Sequence, residues 1–145
     1  STDPQKFATL FYGILDPEKN ELQYCNAGHD NPVLIRKDEM PVRLKTGGVV
    51  MGFVPDFQYS EDKIIFDPGT VLLIYSDGIT EAMNQQEEEF GEGRLISVLK
   101  EHIEQPSENI IQRILDAVGN YVGKMPQMDD MTLLVIKRDS QVTAG

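Results

Sequence analysis

Two continuous apolar runs constrain this 145-residue chain more than any other feature. Residues 71–75 are followed by Asp77, and residues 131–136 are preceded by Asp129 and Asp130. A continuous apolar run is typical of a strand that is buried on both faces. If the two strands pair antiparallel, their acids meet at the same edge of one sheet. Because carboxylate oxygens on a rigid sheet suit hard cations, the pattern predicts a site for Mg²⁺ or Mn²⁺.

The remaining sequence predicts mostly strands in the first half and two helices in the second. Turn residues such as Asp16-Pro17 and Asp67-Pro68-Gly69 separate the apolar segments. We predict strands at residues 8–15, 21–26, 33–36, 41–44, 59–66, 71–75 and 131–137, and a loop at residues 45–58. This order of elements indicates an α+β fold with mostly antiparallel sheet.

Apolar stripes at helical spacing define the two helices. The first helix, residues 92–103, carries Leu95, Leu99 and Ile103 on one face. The second helix, residues 108–122, has Ser107 as its expected N-cap. Its expected core stripe consists of Ile111, Leu115, Val118 and Val122.

Composition and net charge limit the classes of protein to which this chain can belong. With 40% hydrophobic residues the chain can bury a core, and we expect one domain over residues 1–139 with a disordered tail at 140–145. The net charge of −11 argues against nucleic acid and against an anionic membrane as partners. Cys25 is the single cysteine and is expected to be a small buried residue, so no internal disulfide can form. With no long apolar span, the expected location is the cytoplasm.

Each candidate site residue also has a simpler interpretation. Ser-Asp-Gly after a strand is commonly a turn or a helix N-cap, which would leave Asp77 without a functional role. Asp129 and Asp130 could be a solvated acidic pair. His29 titrates near neutral pH and could act as a general acid, but we favour a turn histidine, since nothing near it in sequence fixes its geometry.

Seven segments occur in an order that resembles one enzyme family. They are FATLFYG (7–13), LDP (15–17), YCNAGHDNP (24–32), DPG (67–69), YSDGITEA (75–82), FGEGRL (90–95) and DDMT (129–132). Together they resemble the metal-dependent (PPM, type 2C) serine/threonine phosphatases, in the bacterial branch named for stage II sporulation protein E. The resemblance covers nearly the whole chain, from residue 7 to residue 138.

The resemblance implies a fold, a cofactor and site residues. The fold would be part of an α-β-β-α sandwich, and the cofactor would be two Mn²⁺ or Mg²⁺ ions in the complete domain. The matching motifs make Asp77 and Asp129 metal ligands. Asp130 is the second choice and is expected to orient the loop, and the Gly78 backbone could also contribute. The resemblance assigns no further catalytic residue.

The family's early Gly-Asp and later Gly-Asp-Val-Ser-Gly motifs have no counterpart in this sequence. We therefore expect the chain to be the C-terminal two-thirds of a phosphatase domain, from a protein with an upstream sensor or receiver domain. The remaining sheet would expose an edge and favour a homodimer. The implied substrate is a serine- or threonine-phosphorylated regulatory protein in bacterial signalling, of the anti-sigma-factor antagonist type.

Two alternatives stay open at this point. The first is a catalytically inactive regulatory or binding module with the same fold. The second is a different two-metal hydrolase that acts on nucleotides or small phosphate esters. The sequence has no glycine-rich phosphate loop with a lysine, so nothing in it supports nucleotide binding.

Overall fold

The computed structural model describes residues 10–27, 32–45 and 62–139 of the chain. In chain order its strands are β1 (Leu10–Asp16), β2 (Glu21–Ala27), β3 (Val33–Ile35), β4 (Val42–Arg43), β5 (Asp62–Ile65), β6 (Val71–Tyr75) and β7 (Leu133–Lys137). Its helices, all between β6 and β7, are α1 (Asp77–Thr80), α2 (Gly91–Glu101) and α3 (Ser107–Val122). The chain divides into two compact units, which are described in turn.

The first unit contains a sheet in the order β1-β2-β5, with both pairings antiparallel. The β1–β2 turn is stabilised by Asp16, whose Oδ1 accepts the backbone N–H groups of Glu18 (3.0 Å) and Lys19 (3.2 Å). Along β2, Leu22 and Tyr24 are buried and alternate with more exposed neighbours. This alternation is the period of two that a sheet with one covered face requires.

The second unit contains the sheet β4-β3-β6-β7, in which β6 pairs antiparallel with both β3 and β7. Four of the five residues of β6 are buried, as the continuous apolar run predicted. In the β6–β7 register, Val71 lies opposite Lys137 and Tyr75 lies opposite Leu133. The strand that leads into Asp77 is therefore an interior, largely buried strand of this sheet.

Helices α2 and α3 pack against each other, and α3 packs on β7. The fully buried Leu95 and Leu99 of α2 and Ile114 of α3 join Leu73 and Tyr75 of β6 in one hydrophobic core. The α2 stripe is confirmed, although the helix ends at Glu101 and Ile103 follows it as a buried residue. This core holds the end of β6 in place by burial of apolar surface.

The predicted core stripe of α3 is correct at Val118 but wrong at Leu115. Ile110, Ile114 and Val118 are the buried positions, whereas Leu115 is 41% exposed and Ile111 is only partly buried. The sequence allows both stripes because apolar residues occur at adjacent helical positions. The consequence is that Leu115 is an exposed leucine beside the core.

The predicted N-cap of α3 is also wrong. Ser107 is the first helical residue, and Pro106 takes the N-cap position with an extended backbone. The Pro106 carbonyl accepts the N–H groups of Asn109 (3.0 Å) and Ile110 (3.1 Å). The fixed φ of proline supplies the helix entry, so a side-chain cap from Ser107 is not needed.

The α+β class with antiparallel sheets and few helices is confirmed. The other predicted elements are present within the described residues with ends shifted by one or two positions, and α1 was not predicted. Residues 8–9, His29, most of the 45–58 loop, residues 59–61 and the 140–145 tail lie outside the described residues, as does the side chain of Cys25. Within the described part of the chain, no helix is both long and apolar enough to cross a membrane.

Candidate metal centre

The β6–β7 pairing brings the predicted acids to one edge of the sheet. The two strands are antiparallel, and the ladder continues past Tyr75 through a hydrogen bond from the Ser76 N–H to the Thr132 carbonyl (2.9 Å). Asp77 therefore begins the segment after β6, which contains α1, and Asp129 and Asp130 belong to the facing loop. The predicted antiparallel arrangement is confirmed. The prediction that the Asp77 and Asp129 carboxylates lie within about 6 Å stays a prediction.

Ser76 holds the two loops together, a role that the sequence motifs did not indicate. Its Oγ accepts the Thr132 N–H (2.8 Å) and donates to the Asp130 carbonyl (3.2 Å). With the backbone bond from its own N–H, Ser76 makes three hydrogen bonds to residues 130–132. A hydroxyl can do this because it donates once and accepts up to twice. The signal available in the sequence was a serine directly after a buried strand.

Gly78 allows the closest approach between the loops. It is buried, and a Cβ at this position would overlap the Asp130 carbonyl oxygen and lie 2.9 Å from the Asp130 carbonyl carbon. Glycine is therefore required here for space. The close contact places the backbone of the Asp129-Asp130 loop directly against the first turn after β6.

The three acids are all exposed at this edge. The Asp129 Oδ1 accepts the Asp130 N–H (2.8 Å), and the Gln127 side-chain amide donates to the Asp129 carbonyl (2.8 Å). The first bond orients the Asp129 carboxylate, and the second holds the Asp129 backbone. The structure thus gives Asp129 a defined orientation, while the Asp130 carbonyl is used in the contact with Ser76.

The donor set fits part of a site for a hard cation. Oxygen ligands from Asp77, Asp129 and the nearby backbone are the chemistry that Mg²⁺ and Mn²⁺ prefer. Within the described ranges, however, no group of three or more His, Cys, Asp or Glu side chains is arranged to hold a metal. Asp77 and Asp129 would therefore need further ligands to hold a cation.

A partly buried hydrogen bond anchors the strand next to this edge. Tyr75, the last residue of β6, is almost fully buried, and its hydroxyl donates to the Glu92 carboxylate in the first turn of α2. Ile79 of α1 is fully buried in the same core. The backbone on both sides of Asp77 is consequently anchored, which keeps the carboxylate at a defined place on the sheet.

Comparison with known proteins gives a consistent match. Residues 1–139 match the family Stage II sporulation protein E (SpoIIE). Protein IcfG of Synechocystis sp. is 34% identical over 139 residues, which is 94% of this chain and 22% of that protein. Phosphoserine phosphatase RsbU of Bacillus subtilis is 27% identical over 140 residues, covering 95% of this chain and 41% of that protein. The chain thus spans less than half the length of both relatives.

Solved structures share the fold. The RsbU and RsbW domains of Rv1364c from Mycobacterium tuberculosis superpose with a TM-score of 0.70 at 24% identity, covering 92% of this chain and 37% of that chain. The phosphatase domain of SpoIIE from Bacillus subtilis, in an Mn-presoaked form, gives 0.64 at 20% identity and covers 92% and 58%. At these identities the structures establish the fold.

Replacement of Gly78 by alanine should destabilise the chain. The added methyl group overlaps backbone atoms of Asp130, and overpacking of this kind costs about 1–3 kcal/mol. Gly93→Ala is the matched control, because Gly93 lies in α2 and a Cβ added there would meet no atom within 4 Å. It should be neutral or stabilising by up to about 1 kcal/mol. Urea unfolding measures both, and equal stability of the two variants would contradict the steric explanation.

Replacement of Ser76 by alanine should loosen the Asp129-Asp130 loop. The Thr132 N–H loses its acceptor, and a net hydrogen bond of about 1 kcal/mol corresponds to roughly fivefold faster amide exchange. Ser76→Thr retains the hydroxyl and should exchange close to the unmodified chain. Hydrogen exchange followed by NMR at the Thr132 amide provides the measurement. An unchanged rate in Ser76→Ala would show that Ser76 does not hold this loop.

Proposed function

We propose, from the fact that this chain belongs to the Stage II sporulation protein E (SpoIIE) family, that it forms part of a metal-dependent protein phosphatase acting on phosphoserine or phosphothreonine. The observation that carries the proposal is the pairing of β6 with β7, which puts Asp77 and the Asp129-Asp130 loop at one sheet edge. The relative RsbU is named a phosphoserine phosphatase, which supports the same reaction class.

Asp77 and Asp129 would supply carboxylate ligands for two divalent cations, Mn²⁺ or Mg²⁺. Bound cations of this kind make a water molecule more acidic and offset the negative charge of a phosphoryl group. The chain's own residues contribute position: Ser76 and Gly78 hold the two ligand loops in contact, and Tyr75 anchors the strand beneath them. Asp130 would keep its loop in place through its backbone, and the Gly78 backbone could add an oxygen ligand.

The substrate in this proposal is a phosphorylated regulatory protein of the anti-sigma-factor antagonist type. Its support is the family, together with the similarity to RsbU and to a structure that contains RsbU and RsbW domains. In the complete protein, a sensor or receiver domain would control the phosphatase in the cytoplasm.

The second candidate is a module that keeps the fold without catalysis. It is favoured by one observation: the described residues contain no group of three metal-binding side chains. The two candidates differ in the sequence that would adjoin this segment. Further acids in Gly-Asp motifs would favour the phosphatase, whereas their absence would favour the inactive module.

Asp77→Asn and Asp129→Asn should each lower Mn²⁺-dependent hydrolysis of p-nitrophenyl phosphate by the complete protein by about 100-fold or more. The reason is that a lost ligand removes several kcal/mol of charge stabilisation. Calorimetric titration should show weaker Mn²⁺ binding in both variants. Asp130→Asn is the matched control with a smaller expected effect. Near-normal turnover of Asp77→Asn at saturating Mn²⁺ would rule out Asp77 as a ligand.

The 145-residue chain alone should show little Mn²⁺-dependent phosphatase activity. Two carboxylates from one side of a centre provide too few ligands to hold two cations tightly. Turnover of p-nitrophenyl phosphate with excess Mn²⁺ measures this, with the chain's fold verified by circular dichroism. Robust turnover that Asp77→Ala abolishes would show that this segment contains a complete site.

A further inference from the structure

An apolar groove of about 640 Å³ begins at the candidate metal centre. Gly78 and Asp129 line one part of it. The other walls come from the C-terminal half of α3, from residues 125–131, and from the segment 82–90, which we call the acidic hairpin. Its volume lies within the range of about 300–1,000 Å³ that is typical of ligand sites.

The groove exposes large apolar side chains to solvent. Leu115 is 41% exposed, Met83 is 38% exposed and Met128 is 85% exposed, and all three line the groove. The groove is also lined by the partly buried Val122, Met125 and Met131 and by the buried Val118. Leucine and methionine side chains gathered at one surface favour an apolar partner, and methionine adapts readily to different shapes. Leu115, which α3 leaves outside the core, therefore forms part of this groove surface.

The charge of the groove lining limits the chemistry of the partner that can bind there. Among the described residues, the groove is lined by the carboxylates of Glu81, Glu87, Glu89 and Asp129 and by no Lys or Arg. An occupant with acidic flanks would be repelled, whereas a basic one would be attracted. The same charges, with the net charge of −11, disfavour a second copy of this chain as the occupant.

Hydrogen bonds to its backbone hold the acidic hairpin in place as one wall of the groove. The Arg94 guanidinium donates to the backbone carbonyls of Glu89 (3.0 Å) and Phe90 (2.8 Å), and the Tyr121 hydroxyl also donates to Glu89 (3.1 Å). Arg94 additionally lies over the Tyr121 ring, 4.6 Å from its centroid. At the hairpin tip, the Asn84 Oδ1 accepts the N–H groups of residues 86 (3.0 Å) and 88 (2.9 Å). A wall held in this way loses little conformational freedom on binding.

We infer that this groove binds the segment of the phosphoprotein substrate next to the phosphorylated residue, and that this segment carries an apolar side chain flanked by Lys or Arg. The inference rests on the proposed function and specifies its substrate. The apolar side chain packs against Leu115 and Met83, and the basic residues face the carboxylates of Glu81, Glu87 and Glu89. The phosphorylated residue reaches the edge at Asp77 and Asp129, because Gly78 and Asp129 belong to both the groove and the candidate centre.

The test compares three substrates of the complete protein. One is a phosphoserine peptide with leucine and lysine neighbours, the second has glutamate in place of lysine, and the third is p-nitrophenyl phosphate. We expect kcat/KM for the basic peptide to exceed that for the acidic peptide by about tenfold or more, since several charge pairs contribute. Equal values, or a preference for the acidic peptide, would overturn the inference.

Two groove variants and two matched controls test whether the preference for the basic peptide arises in the groove. Leu115→Ala and Glu87→Lys should each lower the ratio of kcat/KM for the basic peptide to that for p-nitrophenyl phosphate by about two- to fivefold. Leu134→Ala and Glu101→Lys should leave this ratio unchanged. Leu134 has a similar exposure of 46%, and neither control residue lines the groove. A loss in the controls equal to that in the groove variants would overturn the inference.

Direct binding separates failure of the inference from failure of the proposed function. Fluorescence anisotropy of the labelled, unphosphorylated basic peptide measures occupancy of the groove without catalysis. If the peptide binds in a Leu115-dependent way but p-nitrophenyl phosphate is not hydrolysed, the proposed phosphatase function is refuted and the inference about the groove is not. If p-nitrophenyl phosphate is hydrolysed but the peptide does not bind, the inference about the groove is refuted and the proposed phosphatase function is not. Light scattering that shows a dimer abolished by Leu115→Ala would identify a second copy as the occupant and likewise overturn the inference.

Discussion

The antiparallel pairing of β6 with β7 is the constraint on which the rest of this structure depends. It places residues that are more than fifty positions apart at one sheet edge, and the core beneath it fixes the register. On β7 the buried Val135 lies between the exposed Leu134 and Ile136, so a shift of one residue would turn Val135 to the exposed face. The arrangement of the acidic loops is thus a consequence of hydrophobic packing.

The loops themselves are joined by polar contacts that apolar patterning does not encode. Ser76 bonds to the facing loop through its backbone and side chain, and Gly78 leaves room for the Asp130 carbonyl. The site therefore combines two kinds of stabilisation. Apolar burial decides which strands meet, and short-range sterics and hydrogen bonds decide how closely their ends approach.

Much of this could be predicted from the sequence, and the failures have identifiable causes. The β6 run and the α2 stripe were predictable because each allows one interpretation. The β7 run predicted a strand correctly but its burial on both faces wrongly, since Leu134 and Ile136 are exposed. The α3 stripe was not predictable, because adjacent apolar residues such as Ile114 and Leu115 satisfy two stripes equally and only tertiary packing selects one. The close backbone approach at Gly78 was predictable from the glycine itself, whereas the role of Ser76 was missed because it depends on a partner loop more than fifty residues away.

The acidic hairpin has a consequence for how recognition could change over evolutionary time. Arg94 and Tyr121 hold it through backbone carbonyls, so its position does not depend on which side chains follow Asn84. The residues at its tip, 85–87, are exposed to solvent. Substitutions there can accumulate without loss of the wall itself. A lineage of such proteins could thus acquire new partners by drift at a few exposed positions while the strand pairing and the chemistry beside it remain intact.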